Sequence, residues 1–203
     1  MAGNLIVIAA PSGAGKTSLV KALLESVPDL VVSISHTTRE PRPGEVDGQS
    51  YHFIDKAGFE SLVGRNGFLE HASVFDNYYG TARESVEAQL SQGVDVILEI
   101  DWQGARQVRK RMACYSIFIL PPSKVELERR LRGRGTDSEE VISRRMRDAQ
   151  NEMSHYHEFD YVVVNDDFDQ ARAELANIIQ MQRFKVDIQQ KHLAPLLDDL
   201  LAK

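Results

Sequence analysis

The sequence predicts an α/β protein with a mostly parallel sheet flanked by helices. Two observations carry that reading. Short, nearly uninterrupted apolar runs alternate with segments of helical periodicity, the pattern of strands covered on both faces. The first of those runs breaks into the glycine-rich stretch "APSGAGKT" and then into a helix, a strand–turn–helix order suited to holding phosphate.

Taken in order, Leu5 to Ala10 is the first buried strand, and "TSLVKALLESV" follows as a helix with Leu19, Leu23 and Val27 on one stripe, ended by Pro28. "LVVSIS" (Leu30–Ser35), "VDVILEID" (Val94–Asp101), "YSIFIL" (Tyr115–Leu120) and "DYVVVN" (Asp160–Asn165) read as further strands. "TARESVEAQLSQG", "GARQVRKRM" and "SKVELERRLRGRG" supply the helical patterns between them. Past Asp169 a long helix carries Ala171, Leu175, Ile178 and Ile179 on its apolar face. Two stretches interrupt the alternation: Thr37 to Tyr79, rich in Gly, Pro, Arg and Tyr, and the highly charged Arg132 to His157. Both are expected as insertions at the carboxyl ends of the strands, where ligands collect in such sheets.

At 203 residues the chain suits a single domain with small insertions. Hydrophobic content of 42%, charged content of 27% and a net charge of -6 describe a globular protein and argue against a nucleic-acid partner. The lone Cys114 is expected as a reduced, half-buried thiol, and no Cys/His spacing fits zinc. The opening "MAGNLIVIAAP" lacks a basic leader, and no apolar run is long enough to span a membrane, so a cytoplasmic chain with no membrane partner is expected.

The chemistry begins at Ala10 to Thr17. Gly13 and Gly15 permit torsions that turn successive N–H groups inward, and the start of the helix adds its positive dipole end. Lys16 places a point charge between terminal phosphates, and the Thr17 hydroxyl suits Mg²⁺. Ala10 stands where the general motif has its first glycine, which requires a negative φ there. Glu99 and Asp101, two apart and therefore on one face of a strand, are the candidate carboxylates for the same ion, Asp101 at the strand end.

The acceptor of the phosphate is sought in "SISHTTREPRPGEVDGQSYHFI". Arg39 and Arg42, with Ser35 upstream and Tyr51 downstream, compose a socket for a second phosphate, since guanidinium offers a fork that ammonium does not. "GFLEHASVFDNYYGTARE" follows, with Glu70 after Phe68–Leu69 and an expected turn at Tyr78–Tyr79–Gly80–Thr81. A carboxylate in a partly apolar pocket accepts both N1–H and N2–H of guanine, and adenine leaves it unpaired. An Asn-Lys-x-Asp base-reading string is absent, which argues against a GTP-hydrolysing switch.

Together "SxSHTTREPRPGE", "GxxYHF", "FLEHAxVFxNYYGT", "ILEIDWQGA", "FILPPS", "RLRGRGTDSEE" and "VVVNDD" make the chain resemble guanylate kinases of the bacterial type, from the cradle to about Phe184. The resemblance implies a P-loop kinase core (about 1–34, 82–125 and 158–203), a GMP-binding insert (about 35–81) and a mobile lid (about 126–157). It implies ATP-dependent phosphorylation of GMP, and of dGMP, in purine nucleotide metabolism, with Mg²⁺ as cofactor. By matching positions, Ala10, Pro11, Ser12, Gly13, Ala14, Gly15, Lys16, Thr17 and Ser18 bind ATP, with Asn165 near adenine. Ser35, Glu70 and Thr81 read guanine, Asp101 lies near the base or the metal with Thr17, and Arg39, Arg42, Tyr51 and Tyr79 hold the GMP phosphate. Arg134 and Arg145, with Arg130 at the lid's base, reach the transferring phosphoryl group, and Gly133 and Gly135 flank Arg134. Glu99 departs from the second Asp expected in many relatives.

Two other readings compete: a non-catalytic peptide-binding module of the same fold, which would usually lose the cradle lysine or lid arginines retained here, and a kinase for another nucleoside monophosphate. The leucine-rich tail "VDIQQKHLAPLLDDLLAK" is expected to pack on its own core, with a partner subunit as the alternative and the oligomeric state open.

Overall fold

The computed structural model describes residues 3–74, 76–133 and 138–202. Strand β1 (Leu5–Ala9) runs through the glycine turn into α1 (Lys16–Ser26) and β2 (Leu30–Val32). The chain then leaves for β3 (His36–Thr37), β4 (His52–Phe53), α2 (Lys56–Gly64), β5 (Phe68–Val74) and β6 (Asn77–Ala82). It returns through α3 (Arg83–Ser91), β7 (Asp95–Glu99), α4 (Trp102–Arg111), β8 (Tyr115–Leu120) and α5 (Lys124–Arg132). Helix α6 (Glu139–Ser154), β9 (Tyr161–Val164), α7 (Phe168–Gln182), α8 (Val186–His192) and α9 (Ala194–Leu201) complete it.

The main sheet is five-stranded and parallel, in the order β2-β7-β1-β8-β9. Alternation decides which residue faces which helix layer. Ile6, Ile8, Ile97, Ile117 and Ile119 pack against Leu19, Leu23, Ala171, Leu175 and Ile179 of α1 and α7. On the opposite face Leu5, Val7, Val96, Leu98 and Phe118 pack against Val86, Ala105 and Val108 of α3 and α4. Both faces are therefore dry, which is why these strands read as continuous apolar runs. The pairing Ile8↔Glu99 sets the ends of β1 and β7 side by side.

A second sheet, in the order β4-β3-β6-β5, stands apart with its own small core of Phe59, Phe68 and Ala82. Several expectations are corrected here. The strand from Leu30 ends at Val32: the Ser33 N–H still bonds the Ile97 carbonyl (2.9 Å), after which the chain departs for the second sheet. Tyr78–Thr81 is not a turn but the middle of β6, which pairs antiparallel with β5 from Phe68↔Ala82 to Val74↔Asn77. Cross-strand partners override the turn-like look of a Tyr-Gly-Thr string, and the left-handed residue that reverses the chain is Asp76, with φ 63°. Asp101 does not share a strand with Glu99; β7 ends at Glu99, and Asp101 caps α4 by accepting a hydrogen bond from the Gly104 N–H at 2.7 Å.

The tail also departs from expectation. Helix α9 buries none of its residues, and Leu196, Leu200 and Leu201 are exposed. Cys114 is a free, half-buried thiol whose pKa burial pushes up. Among the described residues no helix is long and apolar enough to cross a membrane.

Candidate active site

The turn between β1 and α1 is built as the sequence requires. Gly13 and Gly15 have φ of 91° and 93°, torsions that suit glycine, and Ala10 is not among the positive-φ residues. Space makes the same demand. A Cβ on Gly13 would lie 3.0 Å from the side chains of Leu127 and Leu131 in α5, and one on Gly15 would lie 2.4 Å from the Asn165 amide nitrogen. Gly15 caps α1 without any side chain accepting from its first N–H groups, and no acid stands in the first turn. Those donors and the dipole end thus face the cavity.

That cavity, about 350 Å³, is lined by Ala10, Pro11, Ser12, Gly13, Gly15, Lys16, Thr17 and Ser18, joined by Ile100, Asp101 and Glu152. Ala14 is not part of the lining and is buried in the core. Desolvation in the cradle lowers the Lys16 ammonium pKa below the ordinary lysine value, opposed by Glu99, then Glu152, then Asp101. Glu99 lies closest, at 4.0 Å from Lys16 Nζ and 3.5 Å from the Thr17 hydroxyl, which donates to it. Both carboxylates named from the sequence stand at the cradle: Asp101 lines the cavity, and the β1–β7 register brings Glu99 within reach of the Thr17 hydroxyl.

Asn165 supports the phosphate loop directly. It is 5% exposed, and its side-chain amide donates to the Ala14 carbonyl at 2.7 Å, so it braces the loop from below. Its own carbonyl accepts from Arg130 Nη2 at 3.0 Å. Arg130 is further held by Glu126 (2.7 Å), whose carboxyl pKa is pulled down to about 2 by Arg129 and then Arg130. Asn165→Leu removes the brace and leaves a buried carbonyl unpaired, and a loss of about 1–3 kcal/mol in urea denaturation is expected. An unchanged midpoint would refute the brace. Arg145 is half-buried on α6, and Arg134 and Gly135 lie outside the described residues.

The second sheet presents the other set. Glu70 is 7% exposed and accepts the Thr81 hydroxyl at 2.6 Å. A register shift between Phe68 and Glu70 lets Phe68 fill the small core and Leu69 the main one, while Glu70 is buried against the Thr81 hydroxyl. Burial raises the Glu70 pKa; the Thr81 hydroxyl opposes the rise and the charge of Asp101 adds to it. Asp101 therefore belongs to both groups of residues, lining the cradle and sensed by Glu70.

Arg39, Tyr51 and Tyr79 also meet. The Arg39 guanidinium lies 5.5 Å from the Tyr51 ring centroid, and the Tyr51 and Tyr79 rings meet edge to face at 6.0 Å. Arg39 is paired with Glu45 at 2.8 and 2.9 Å, and the Arg42 N–H donates to the same carboxylate at 2.8 Å. That pairing, chiefly the Arg39 hydrogen bond, holds the Glu45 pKa low. Glu45 thus contacts two candidate site arginines, a contact the sequence reading missed, although an acid closing a basic, proline-broken loop was a readable signal. Arg42 is exposed, and Ser35 is half-buried just before β3.

A parallel sheet whose first strand opens into a phosphate cradle, faced by a second sheet carrying a buried acid, defines the class: a P-loop nucleotide kinase fold. The comparisons with known proteins narrow it. The guanylate kinase family model matches residues 2–182. The chain is 57% identical to the guanylate kinases of Salmonella paratyphi A and Escherichia coli K12, over 98% of each chain. It is also similar to the crystal structure of guanylate kinase from Anaplasma phagocytophilum, with TM-score 0.75, 35% identity and coverage of 97% of this chain and 94% of that one. The chain belongs to the guanylate kinase family.

Proposed function

We propose that the protein transfers the terminal phosphoryl group of ATP to GMP, and to dGMP, yielding ADP and the diphosphate, in cytoplasmic purine nucleotide metabolism. The observation that carries the guanine assignment is Glu70, buried and held by Thr81 beside Asp101. Its carboxylate accepts N1–H and N2–H together. Arg39 and Arg42, with Tyr51 and Tyr79, take the GMP phosphate, which displaces Glu45 from Arg39. The cradle from Ala10 to Ser18 takes the polyphosphate of ATP, with Lys16 against the group in flight. Arg145 and Arg134 close from the lid, and Arg130 steadies its base.

Oxygen donors fit Mg²⁺ here. Thr17, Glu99 and Asp101 stand at the cradle, and among the described residues no three His, Cys, Asp or Glu side chains make a metal cage by themselves. Such a partial set suits an ion that completes its shell with nucleotide phosphates and water. When bound, Mg²⁺ neutralises phosphate charge. The residues themselves do no covalent chemistry: the GMP phosphate is ionised at neutral pH, so alignment and charge stabilisation suffice and no general base is needed.

An ADP-release assay with GMP, dGMP, AMP, CMP and UMP tests the reading. Turnover is expected with GMP and dGMP, and kcat/KM for AMP should be lower by about 10⁴-fold. Comparable rates with AMP would overturn it.

A further inference from the structure

One acid at the cradle has no task in the reaction above. Glu152 lies on α6, seven residues after Arg145 and three after Ala149, a spacing that puts the three on one helix face. Ala149 is buried against Leu127 and Leu131 of α5, the leucines on which the Gly13 turn rests. This packing carries Glu152 into the wall of the cavity, beside Pro11 to Ser18 and Asp101. Burial raises the pKa of its carboxyl, and a hydrogen bond from the Ser12 N–H opposes the rise. Its Oε2 is buried with no hydrogen-bond partner. The lid helix thus places a carboxylate against an N–H of the phosphate loop and within the field of Lys16.

We propose that Glu152 is an internal stand-in for phosphate: it occupies part of the polyphosphate subsite in the nucleotide-free protein, and an entering polyphosphate must displace it, moving the end of α6. The proposal rests on the cradle being the ATP polyphosphate site. A carboxylate and a phosphate oxygen compete for the same Ser12 N–H, and two anions beside Lys16 repel each other. Displacement at Glu152 therefore ties nucleotide arrival to the orientation of the helix that bears Arg145. The motion has a built-in reporter. Trp102, the only tryptophan in the chain, stacks at 3.6 Å and 13° on His155, which caps the end of α6 three residues after Glu152.

The test compares the wild-type protein with Glu152→Gln and Glu152→Ala, using inorganic tripolyphosphate and ATP, each with and without Mg²⁺, in calorimetry and Trp102 fluorescence. Glu152→Gln keeps the shape and an acceptor but loses the charge. Its Kd for tripolyphosphate is expected to fall on the order of tenfold, with a similar fall for ATP. The KM for ATP should fall with it while the KM for GMP stays unchanged, a split that a merely structural role would not produce. In Glu152→Ala the ligand-free Trp102 emission is expected to sit already near the ligand-bound value. A Kd that is unchanged or higher in both variants, or Trp102 emission that ignores tripolyphosphate, would overturn the stand-in role. Failure of the wild-type protein to bind either polyphosphate would instead refute the cradle assignment beneath it.

Discussion

Lys16→Ala is expected to lower kcat by about 10²–10³-fold while leaving the KM for GMP nearly unchanged. The ammonium stands at the start of α1, in a cavity whose walls depress its pKa and whose nearest counter-charge, Glu99, is 4.0 Å away. In the proposed reaction a charge held in that setting acts on the group in flight, where negative charge is redistributed, and not on the guanine base. Its interaction is therefore worth more in the transition state than in the ground state. Lys16→Arg is not expected to rescue, because a planar fork does not fit where a point charge is wanted. Steady-state kinetics with both substrates varied decides the matter; wild-type turnover in Lys16→Ala would remove the cradle from the mechanism.

Glu70 carries the other large effect. Glu70→Ala is expected to lower kcat/KM for GMP by about 10³–10⁴-fold, with a much smaller change for AMP, because a buried site built around paired donors and acceptors loses most when a partner is missing. Glu70→Gln should fall nearly as far, since its amide turns a donor toward a guanine donor. Thr81→Ala removes only the 2.6 Å bond that orients the carboxylate, and about 10–100-fold is expected.

The raised Glu70 pKa gives these effects a pH signature. In the free protein burial favours the neutral acid. This group's contribution to stability is therefore complete below its unfolded pKa and is lost as pH rises through the folded one. Guanine needs the ionised form, so the KM for GMP should fall as pH rises through that same raised pKa. A KM for GMP flat through that range would contradict the role of Glu70.

Several parts of the site were legible because their chemistry is local. The cradle needs glycine at two neighbouring torsions, a lysine and a hydroxyl, and all lie within eight residues of one another. Arg39 with Tyr51, and Glu70 with Thr81, were readable as donors and acceptors suited to a nucleotide, although not as neighbours. Other parts were illegible for a physical reason. Tyr78 to Thr81 resembles a turn until β5 supplies its hydrogen bonds. Asn165 ends an apolar strand in a way that fits many tasks, and only its 2.7 Å bond to Ala14, 151 positions away, makes it a brace. Glu152 carries no local signal, because what it touches is set by the packing of α6 on α5.

Sequence alone determined the layered α/β core, the phosphate cradle and the guanylate kinase resemblance, because apolar period, glycine torsion and motif spacing act over a few residues. Tertiary structure decided which carboxylate faces Lys16, that Glu70 is buried against Thr81, and which α6 residue lines the cradle. It also left α9 without a buried side, although its leucines have the spacing of a buried face. Strand register, helix packing and desolvation join residues far apart in the chain, and no local pattern encodes the distance between them.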